Sequence, residues 1–558
     1  MTIQQNMFSR LNFFSQTLFA VCLSITFSCK PQNVTKEENF YYKSVTVNGQ
    51  QSGGFYANGL NLRPVFEVSF SAPVNRAIAQ KSISIIEKSE LTEIPLTISF
   101  LKSDSSISIT PAQNLKGITE YSLLVKPELE SAKKTKLFTP IKLGITTGLD
   151  TTDKFPRISD DELLTLVQKQ HFKYFWDFGH PVSGLARERN TSGDVCTSGG
   201  TGFGIMAMVV AADRGFVTRQ QAAERLLKIT TFLKEKAITH HGAFPHWLNG
   251  ETGATVPFST HDNGGDIVET SYLIQGLLTA RQYFNQENPQ EKELRQKINA
   301  IWEAVDWAWY TRGTNDKLYW HWSPNYEWKM NMPITGWNEC LITYFLAASS
   351  PTHPISRSVY ENCWTKSNHF NNGKTYFDIK LPLGFEYGGP LFFSHYSFLG
   401  LNPHGLKDKF GNYWQQNLAH TQINYRYCLA NPKGYRGYSK NLWGLTASDS
   451  NNGYAAHSPT EDLGVISPTA AISAMPYMPK ESMEALRYFY YKLGDKLWKE
   501  YGFIDAFNLT NVWFAESFLA IDQGPIICMI ENHRTGLLWK NFMSAPEVAA
   551  GKTRLGFE

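Results

Sequence analysis

A short segment of the chain carries three acids at a spacing that could support chemistry. In STHDNGGDIVETSYLIQGLL, residues 259–278, Asp262 and Asp266 lie four residues apart across a Gly-Gly pair. Asp266 is followed three residues later by Glu269 and then by an apolar run, the pattern of a helix N-cap with its capping box, so a structural role would explain it. That role does not explain Asp262, which precedes the helix in a polar loop. We therefore expect Asp262 to be a functional acid, and Asp266 stays open between a cap and a catalytic group.

Two more acids stand at predicted helix starts in aromatic-rich loops. Glu339 lies in ITGWNECLITYFLA, residues 334–347, and Asp522 lies in AIDQGPIICMIENHRTGLLW, residues 520–539. A carboxylate at either position could simply cap the helix or favour its N-terminus electrostatically. Glycoside hydrolysis instead needs two carboxyl groups beside the bond. One is protonated and gives its proton to the leaving oxygen, and the other is ionised and activates water or attacks the sugar. That chemistry needs no cofactor, and we expect none.

Aromatic residues make up 14% of the chain, and the tryptophans share loops with the acids. Aromatic side chains pack cores, but their faces also stack on the apolar C–H faces of sugar rings. The residues we expect to contact a sugar are Trp247, Trp320, Trp337, His395 and Tyr396. An uncharged carbohydrate partner agrees with a net charge of only +3 and with too little clustering of Lys and Arg for nucleic acid.

Metal and phosphate sites are not predicted. His240, His241 and His246 lack the i, i+4 spacing with a neighbouring acid that a helical metal site needs, so we expect solvated or hydrogen-bonded histidines. The glycine-rich SGGTGFGI, residues 198–205, follows no predicted strand and does not match G-x-G-x-x-G. The cysteines are widely spaced and form no C-x-x-C pair, which argues against a zinc site and a disulfide framework.

From Ser159 onward the hydrophobic periodicity is helical. SDDELLTLVQKQHFKYFWDF begins with a Ser159–Glu162 capping box, and further helix starts are predicted at Thr218 with Gln221, Asp266 with Glu269, and Ser467 with Pro468. The remaining length holds about a dozen helices of ordinary size, joined by long loops. Paired in sequence, they could close into a double-layered α/α toroid whose loops gather at one end as a cleft. An irregular solenoid of helix pairs is the alternative, although no fixed sequence period supports it.

A β-rich segment precedes the helices. Between residues 40 and 147, short alternating runs such as FEVSF, LTISF and YSLLV recur with turn residues between them, which is the spacing of a small sandwich. The string FEVSFSAPV…ITPAQNL…TEYSLLV resembles the bacterial Ig-like domains that precede many secreted enzymes. We expect an Ig-like β-sandwich over 40–147 that acts as a spacer or docking module, a linker over 148–160 and a helical catalytic domain over 161–545.

The first residues read as an export signal. Arg10 precedes an apolar run that ends at Ser28, directly before Cys29, and this resembles a bacterial lipobox apart from Thr26 in place of the usual leucine. We expect residues 1–28 to be removed and Cys29 to be lipidated, which gives an exported lipoprotein of the periplasm or outer membrane. An ordinary signal peptide with a chance cysteine is the alternative. No other segment approaches the ~20 apolar residues of a membrane helix, so the lipid would be the membrane contact.

Five separated motifs in the helical part resemble one family. They are TSGGTGFGIMAM, HDNGGDIVETSYLIQGLL, TGWNECLITYFLA, LFFSHYSFLGLNP and IDQGPIICMIENHRTGLLW, and in this order they are similar to glycoside hydrolase family 144, the bacterial β-1,2-glucanases. The resemblance implies an (α/α)6 barrel that hydrolyses β-1,2-glucan with inversion. It implies catalytic acids at Asp262, Asp266 and Glu339, with Asp522 as a further candidate. We expect Glu339 to protonate the scissile oxygen or an intermediary hydroxyl and Asp522 to draw the proton from the water. We expect Asp262 and Asp266 to hold sugar hydroxyls and tune the acid.

The resemblance leaves the mode of attack open, because the family contains endo-acting members and members that release sophorose from a chain end. We expect the second mode, since an Ig-like domain in front of the barrel resembles those members more, and we expect a monomer. A catalytically silent glycan-binding lipoprotein and a polysaccharide lyase are the alternative classes. Binding a neutral sugar does not require so many loop acids, which argues against the binding protein. A lyase normally needs Arg or Lys to neutralise the carboxylate of its uronate substrate, and the cleft motifs contain few, which argues against the lyase.

Overall fold

The computed structural model describes residues 39–558, and the change from β to α structure falls near residue 150, where the sequence predicts it. Two units are formed: the first contains residues 39–57, Arg63–Asn114 and Tyr121–Ile145, and the second contains Asn58–Leu62, Leu115–Glu120 and Thr146–Glu558. The predicted signal segment 1–28 and the predicted lipidation site Cys29 lie outside the described residues.

Ten strands between residues 42 and 147 form the predicted sandwich of two sheets. Their bounds are β1 Tyr42–Val47, β2 Gln50–Gln51, β3 Tyr56–Leu60, β4 Phe66–Phe70, β5 Ile83–Glu87, β6 Glu93–Ile94, β7 Leu96–Leu101, β8 Ser106–Pro111, β9 Glu120–Val125 and β10 Ile141–Thr147. One sheet has the order β2-β1-β4-β8-β7, and the other has the order β3-β10-β9-β5-β6. A short helix that the sequence did not predict, α1 (Arg76–Ser82), leads into β5 and is capped by the side chain of Asn75.

Alternate residues of β4 fill the core of the sandwich. Phe66, Val68 and Phe70 are buried, whereas the residues between them are partly exposed, which is the period of two expected for a strand with one buried face. The antiparallel register places Val68 opposite Ile107 of β8, which is also buried. The pattern read from the sequence therefore sets which face of this sheet is inside.

Within the described residues, fourteen further helices follow the sandwich. Their bounds are α2 Asp160–Trp176, α3 Ser198–Asp213, α4 Arg219–Glu235, α5 Ile267–Tyr283, α6 Pro289–Glu303, α7 Leu341–Ser349, α8 Arg357–Val359, α9 Tyr413–Ala430, α10 Pro468–Ser473, α11 Pro479–Tyr491, α12 Gly494–Leu497, α13 Ala520–Arg534, α14 Leu537–Met543 and α15 Pro546–Leu555. A π-helical turn over Tyr360–Trp364 continues α8. Short 3-10 turns lie at Trp309–Thr311, Glu386–Gly388, Leu391–Ser394 and Tyr396–Leu399.

The loops between the helices contain short strands of two to four residues. They are β11 Val195–Thr197, β12 Trp247–Asn249, β13 Thr255–Val256, β14 Gly265–Asp266, β15 His321–Trp322, β16 Thr375–Tyr376, β17 Ile379–Lys380, β18 Ala447–Ser450, β19 Gly453–Ala456, β20 Trp498–Lys499, β21 Gly502–Phe503, β22 Phe507–Asn508 and β23 Trp513–Phe514. Strands β11, β12 and β13 form one small sheet, and β14 pairs with β15. These pairings hold loops that are far apart in sequence against one another.

The helices form the predicted (α/α)6 toroid. Helices α3, α5, α7, α10 and α13 are buried on nearly every side, which is why their sequences show no polar face. They pack side by side in the order α10, α13, α3, α5, α7. The 3-10 turns between Leu391 and Leu399 contact α7 and α13 and take the sixth inner position. The outer layer contains α2, α4, α6, α9 and α11, each packed on an inner element next to it in the chain.

Glycine allows the closest helix contact of this ring, between α3 and α5. A Cβ atom on Gly202 would lie 2.1 Å from the backbone oxygen of Tyr272, and one on Gly276 would lie 2.2 Å from the backbone oxygen of Gly202. Both contacts are with backbone, so no side-chain rotation could relieve them. The glycine-rich run that the sequence analysis excluded as a phosphate cradle therefore serves helix packing.

Two of the predicted capping boxes are present and two helix starts differ in detail. Ser159 with Glu162 and Thr218 with Gln221 each exchange both hydrogen bonds of the box. Helix α10 begins at Pro468, as predicted, but Ser467 makes no side-chain cap. Helix α13 begins at Ala520, two residues before Asp522, and continues through the Gly-Pro pair that the sequence analysis placed at its start.

The described part of the chain contains five cysteines, all free and buried: Cys196, Cys340, Cys363, Cys428 and Cys528. Among residues 39–558, no helix combines the length and the apolar composition needed to cross a bilayer.

Candidate active site

Asp266 caps helix α5 and also binds two aromatic side chains. Its Oδ1 accepts hydrogen bonds from the backbone N–H groups of Val268 and Glu269, both at 2.9 Å. Its Oδ2 lies 3.2 Å from Nδ1 of His246 and accepts a hydrogen bond from Nε1 of Trp320, also at 3.2 Å. The cap is therefore confirmed, and the catalytic role of Asp266 stays a prediction that the cap does not exclude, because the second oxygen is engaged separately.

Burial works to raise the pKa of Asp266, but the hydrogen bond from His246 and the charge of the neighbouring imidazoles of His321 and His246 hold it below its ordinary value. Among the acids of this cluster, Asp266 is the one whose surroundings favour the ionised form.

Glu269 does not complete the predicted capping box. Its carboxylate accepts hydrogen bonds from the backbone N–H of Gly199 at 2.9 Å and from the Thr197 hydroxyl at 3.4 Å. Gly199 is in the first turn of α3, where backbone N–H groups lack partners within the helix. Glu269 therefore accepts a hydrogen bond from the start of α3 and not from the start of its own helix. Burial raises the pKa of Glu269, against the pull of His246 and with the help of the Asp266 charge.

Asp262 lies in the turn before α5 and is only 4% exposed. The pairing of β14 with β15 places His321 opposite Asp266, and Nε2 of His321 lies 3.3 Å from Oδ2 of Asp262. Burial raises the pKa of Asp262 to about 7, with the Asp266 and Glu269 charges acting in the same direction and His246 against it. Near neutral pH this carboxyl can therefore either give or take a proton.

His246 lies between these carboxylates. Its Nδ1 is 3.2 Å from Asp266 and its Nε2 is 4.0 Å from Glu269. Burial disfavours the charged imidazolium, but the carboxylates of Glu269, Asp266 and Asp262 outweigh it and raise the pKa of His246 to about 9. The sequence predicts a solvated or hydrogen-bonded histidine here, and the hydrogen bond to Asp266 confirms the second of these. With its raised pKa, His246 is the cation of the acid cluster.

Glu339 lies two residues before α7. The Ser397 hydroxyl donates a hydrogen bond to its backbone oxygen, which ties this turn to the inner 3-10 segment. Burial raises the pKa of Glu339 to about 7; its own backbone N–H opposes the rise, and the Glu269 and Asp266 charges add to it. We refer to Asp262, Asp266, Glu269 and Glu339 as the first acid group.

A second acid group, Asp449, Asp505 and Asp522, gathers at the start of α13. Asp522 lies in the first turn of that helix and does not cap it. Among the described residues, no nitrogen or hydroxyl donor reaches either of its carboxyl oxygens, and its hydrogen-bonding neighbour is the carboxyl of Asp505. Burial raises the pKa of Asp522 well above its ordinary value, and the Asp505 and Asp449 charges add to the effect against Arg189.

Arg189 anchors the second acid group. Its Nη1 lies 3.1 Å from Oδ2 of Asp449 and its Nε lies 2.9 Å from Oε2 of Glu188. Asp449 in turn donates its backbone N–H to Oδ2 of Asp505 at 2.7 Å. A chain of direct contacts therefore runs from Arg189 through Asp449 to Asp505.

A cavity of about 360 Å³ borders the first acid group and the arginine that anchors the second. Glu269 of the first group and Arg189 beside the second group both line it, and Leu519 and Ile521 bring the start of α13 to its wall. Tyr396 interacts with both groups: burial raises the pKa of its hydroxyl far above the ordinary value, and the charges of Asp522, Glu269 and Glu339 contribute to the rise. Acids from both groups are thus within electrostatic reach of one hydroxyl.

Aromatic side chains form part of the cavity wall. Trp247 and Phe258 both line it, with ring centroids 4.8 Å apart, and Phe258 is 49% exposed. Trp320 is partly buried, and its indole N–H is committed to Asp266. The apolar face available to a sugar is therefore the one that Trp247 and Phe258 offer together.

Three of the residues predicted to contact a sugar are buried in the core. Trp337 is fully buried and stacks on Tyr413, so its prediction as a sugar platform is wrong. His395 is 2% exposed, and burial lowers its pKa to about 3 with the help of His420; its sugar contact stays a prediction. Tyr396 is 5% exposed and packs on Phe203, so it offers no open ring face for stacking on a sugar.

His246, Asp262 and Asp266 could together hold a metal ion, since their ligand atoms lie within 4.8 Å of one another. The sequence analysis predicted no metal site. A metal ligand must be an unprotonated imidazole, whereas the surrounding carboxylates keep a proton on His246 up to a pKa of about 9. The carboxylates that hold this proton would attract a metal ion as well, so the expected absence of a metal site stays a prediction at these residues.

Sequence reasoning missed several members of the site. They are His246, Glu269, His321, Arg189, Asp449 and Asp505. His321, Asp449 and Asp505 do lie in loops rich in acids and aromatic residues, which was the available signal. No spacing rule could pair them, because His321 meets Asp262 from 59 residues away and Asp449 meets Asp505 from 56 residues away.

Family models match both parts of the chain. Residues 331–546 match the model described as "Putative glucoamylase", and residues 54–147 match the bacterial Ig-like domain. The second match agrees with the sandwich described above.

Relatives with named activities extend the match over the whole helical part. An exo β-1,2-glucooligosaccharide sophorohydrolase (non-reducing end) of Parabacteroides distasonis is 48% identical over 417 residues, which are 71% of this chain and 58% of that protein. The structure of an endo-β-1,2-glucanase from Chitinophaga pinensis is 53% identical, with a TM-score of 0.70 over 72% of this chain and 99% of that one. A β-1,2-glucanase structure from Parabacteroides distasonis is 37% identical, with a TM-score of 0.70 over 92% of this chain and 73% of that one.

Proposed function

Because the chain belongs to glycoside hydrolase family 144, the family of bacterial β-1,2-glucanases, we propose that it hydrolyses β-1,2-glucosidic bonds and releases sophorose from the end of a β-1,2-glucan chain. One observation carries the proposal: a cavity lined by Glu269 and Arg189 borders two groups of acids, and in these groups Asp262, Glu339 and Asp505 have a pKa raised to about 7. Binding a neutral sugar does not require such groups, whereas hydrolysis requires a proton donor and a proton acceptor.

Glu339 supplies the proton in this mechanism. Burial raises its pKa to about 7, so a large fraction is protonated at neutral pH, which is the condition a general acid must meet. The negative charges of Glu269 and Asp266 disfavour the ionised form of Glu339 and so contribute to its raised pKa. The acid protonates the scissile oxygen either directly or through a hydroxyl of the substrate.

Asp522 draws the proton from the attacking water. It belongs to the second acid group and Glu339 to the first, and the charges of both contribute to the raised pKa of Tyr396. An inverting hydrolase keeps about 6.5–9.5 Å between its two carboxyl groups, which leaves room for the water. We propose inversion, with the water entering on the Asp522 side.

Asp262, Asp266 and His246 position the substrate and set the charge around the acid. Asp266 and His246 form a charged pair that keeps both side chains in place. Asp262 lies next to this pair and contacts His321. Trp247 and Phe258 offer an apolar face on the cavity wall for a glucose ring. The proposed substrate is uncharged, which agrees with the one arginine of the cavity lining, Arg189, being bound to Glu188 and Asp449.

The test is turnover on a panel of neutral glucans. β-1,2-, β-1,3-, β-1,4- and β-1,6-glucans and a uronate polymer are incubated with the purified protein, and reducing ends and products are measured. We expect turnover on the β-1,2-linked substrate, and the anomer released first to have the inverted configuration by NMR. Unsaturated products from the uronate polymer would show a lyase, and binding without turnover would show a glycan-binding protein.

The product distribution separates the two modes of attack that the relatives represent. Sophorose as the first and main product, with slow loss of viscosity, is expected for attack at a chain end. A ladder of oligosaccharides and a rapid loss of viscosity would instead show the endo mode named for the Chitinophaga pinensis relative.

We also propose that the protein acts as a monomer, exported and anchored by a lipid on Cys29. The cavity and both acid groups are built from residues of one chain, so the site needs no second copy. The lipobox-like sequence before Cys29 supports the anchor.

A further inference from the structure

Asp505 is a buried carboxylate with an unusual environment and no role in the mechanism so far. It is 1% exposed, and no nitrogen or hydroxyl donor among the described residues reaches its Oδ1. Both carboxyl oxygens of the neighbouring Asp522 lack such donors as well. Buried carboxylates are normally held by cations, hydroxyls or backbone N–H groups, so two side by side with three unpaired oxygens need an explanation.

The position of Asp505 is fixed by its other oxygen. Oδ2 accepts the backbone N–H of Asp449 at 2.7 Å, and Asp449 is held in β18. The Asp449 carboxylate is bound by Arg189 at 3.1 Å and by the Ser517 hydroxyl at 2.5 Å. Asp505 therefore cannot turn its free oxygen toward another partner, and that oxygen is left to Asp522.

Two carboxylates in contact repel each other, whereas a carboxyl and a carboxylate share a proton in a strong hydrogen bond. The other ionisable groups around the pair do not remove this conflict. Asp449 and Glu188 are acidic, Tyr396 and Tyr454 are neutral, and Arg189 is committed to Glu188 and Asp449. One proton shared by the pair is the arrangement that satisfies both side chains.

We propose that Asp505 is the proton partner of Asp522, so that the pair, and not Asp522 alone, accepts the proton of the attacking water. This inference rests on the proposed function, in which Asp522 faces that water. Asp505 does not touch the water and acts through Asp522, which makes it a positioning residue.

The proton transfers balance within the pair. Before reaction the pair holds one proton, with the Asp522 hydroxyl donating to Oδ1 of Asp505. As the water attacks the sugar, one of its O–H bonds breaks and a new O–H bond forms on the free oxygen of Asp522. The proton that Asp522 already carried passes to Oδ1 of Asp505. Both carboxyl groups are then protonated, and one proton returns to solvent after the products leave. The pKa of Asp522, raised by burial and by Asp505, would otherwise make it a poor base.

The test is the pH dependence of Asp505→Asn. Asparagine keeps an oxygen for the N–H of Asp449 and offers an amide N–H to Asp522, so the fold should tolerate it. In the wild type the acidic limb of the kcat profile reports the binding of a second proton to the pair. An amide N–H stabilises the Asp522 carboxylate less than the shared carboxyl proton does, so in Asp505→Asn the acidic limb should move to higher pH. The maximum of kcat should fall by about 10- to 100-fold, because a single base replaces the pair. KM should change little, since Asp505 does not contact the sugar.

Two variants control this result. Asp462→Asn alters another buried carboxylate of the helical unit, which accepts hydrogen bonds from Tyr427 and Tyr438 and lies outside the site, and its pH profile should match that of the wild type. Asp522→Asn tests the proposed function itself. Loss of activity in Asp522→Asn with an unshifted profile in Asp505→Asn would overturn the proton-sharing pair alone. Full activity in Asp522→Asn would overturn the assignment of the base.

A measurement on the wild type keeps the proposal testable even if Asp505→Asn does not fold. On a sophoroside with a nitrophenolate leaving group, which departs without a proton from Glu339, kcat in mixtures of H2O and D2O should depend on the deuterium fraction in a curved way, because two protons move together in the pair mechanism. A straight dependence in the wild type would show a single proton in motion and would overturn the proposal.

Discussion

At the residue scale, Asp266 shows how one carboxylate can satisfy two demands that the sequence presents as alternatives. The cap uses Oδ1 and the cluster uses Oδ2, so neither role excludes the other. Asparagine would keep the cap, but its amide group would then face His246 and Trp320, which are both donors. The sequence pattern of a helix cap does not show whether asparagine can replace the aspartate. The partners of the second oxygen decide between them.

The first prediction concerns Asp262→Asn and Glu339→Gln. Both substitutions preserve size and remove an ionisable proton, so the melting temperature should stay near that of the wild type. Turnover on β-1,2-glucan should fall by roughly 10² or more, the scale of positioned acid–base assistance. Asp306→Asn is the matched control, because Asp306 accepts a backbone hydrogen bond at 2.9 Å in an exposed turn and asparagine can do the same. Wild-type rates in both test variants would exclude these acids from catalysis.

The second prediction concerns pH. The mechanism uses the protonated form of Glu339, whose pKa is about 7, so kcat should fall as the pH rises through about 7. The raised pKa of Glu339 also makes the stability of the folded chain depend on pH. The folded chain holds this proton more tightly than the unfolded chain, where the pKa is about 4.3, so this contribution to stability is lost as the pH rises from about 4 to about 7. Thermal melts across that range should show a smaller loss in Glu339→Gln than in the wild type. Parallel curves would argue against the raised pKa.

Sequence reasoning found acids of both groups but could not find their partners. Asp262, Glu339 and Asp522 stood out because each lies in an aromatic-rich loop beside a helix start. His246 and Asp505 carry no local pattern, since their roles arise only when separate loops meet. Trp337 was assigned to the sugar because a sequence does not show which aromatic residues the core will cover.

At the element scale, the contact between α3 and α5 sets the position of the first acid group. Helix α5 carries Glu269, which binds the first turn of α3, so the two helices must approach closely for that bond to form. The third prediction is that Gly276→Ala, which would place a Cβ atom 2.2 Å from a backbone oxygen, lowers the free energy of unfolding by about 1–3 kcal/mol. Urea unfolding followed by circular dichroism measures the change.

Gly411→Ala is the control for this substitution. Its added Cβ would lie 3.5 Å from the nearest atom, in ordinary contact, so its stability should match that of the wild type. Equal stability in the two alanine variants would show that the ring adjusts to the added methyl group.

Capping patterns and hydrophobic periods located the outer helices well, because these helices are exposed on one face. The inner elements are harder to predict for physical reasons. A helix that is buried all round has no amphipathic period, and the sixth inner position is built from short 3-10 turns that leave no helical signature. The toroid was predictable only as a pairing of consecutive helices and through the family resemblance.

At the scale of the whole molecule, the fourth prediction is that Cys29→Ser shifts the protein from the membrane fraction to the soluble fraction. Lipidation needs the thiol of Cys29, and the active site does not, so turnover per molecule should stay the same. Fractionation of cells followed by immunoblotting and an activity assay measures both quantities. Continued partition into the membrane fraction would exclude the lipid anchor at this residue.

The five buried cysteines give the molecule its own set of reporters for local opening. Burial raises the pKa of Cys196 and Cys428 to about 12 each, and the pKa of Cys340 far above its ordinary value, so none forms a reactive thiolate until its surroundings open. Cys196 lies in β11 and Cys340 directly follows Glu339, whereas Cys428 lies in the outer helix α9. In a timed reaction with an alkylating reagent, followed by mass spectrometry, added sophorose should slow modification of Cys196 and Cys340 more than that of Cys428. Equal slowing at all three cysteines would mean that their surroundings open together in one cooperative step.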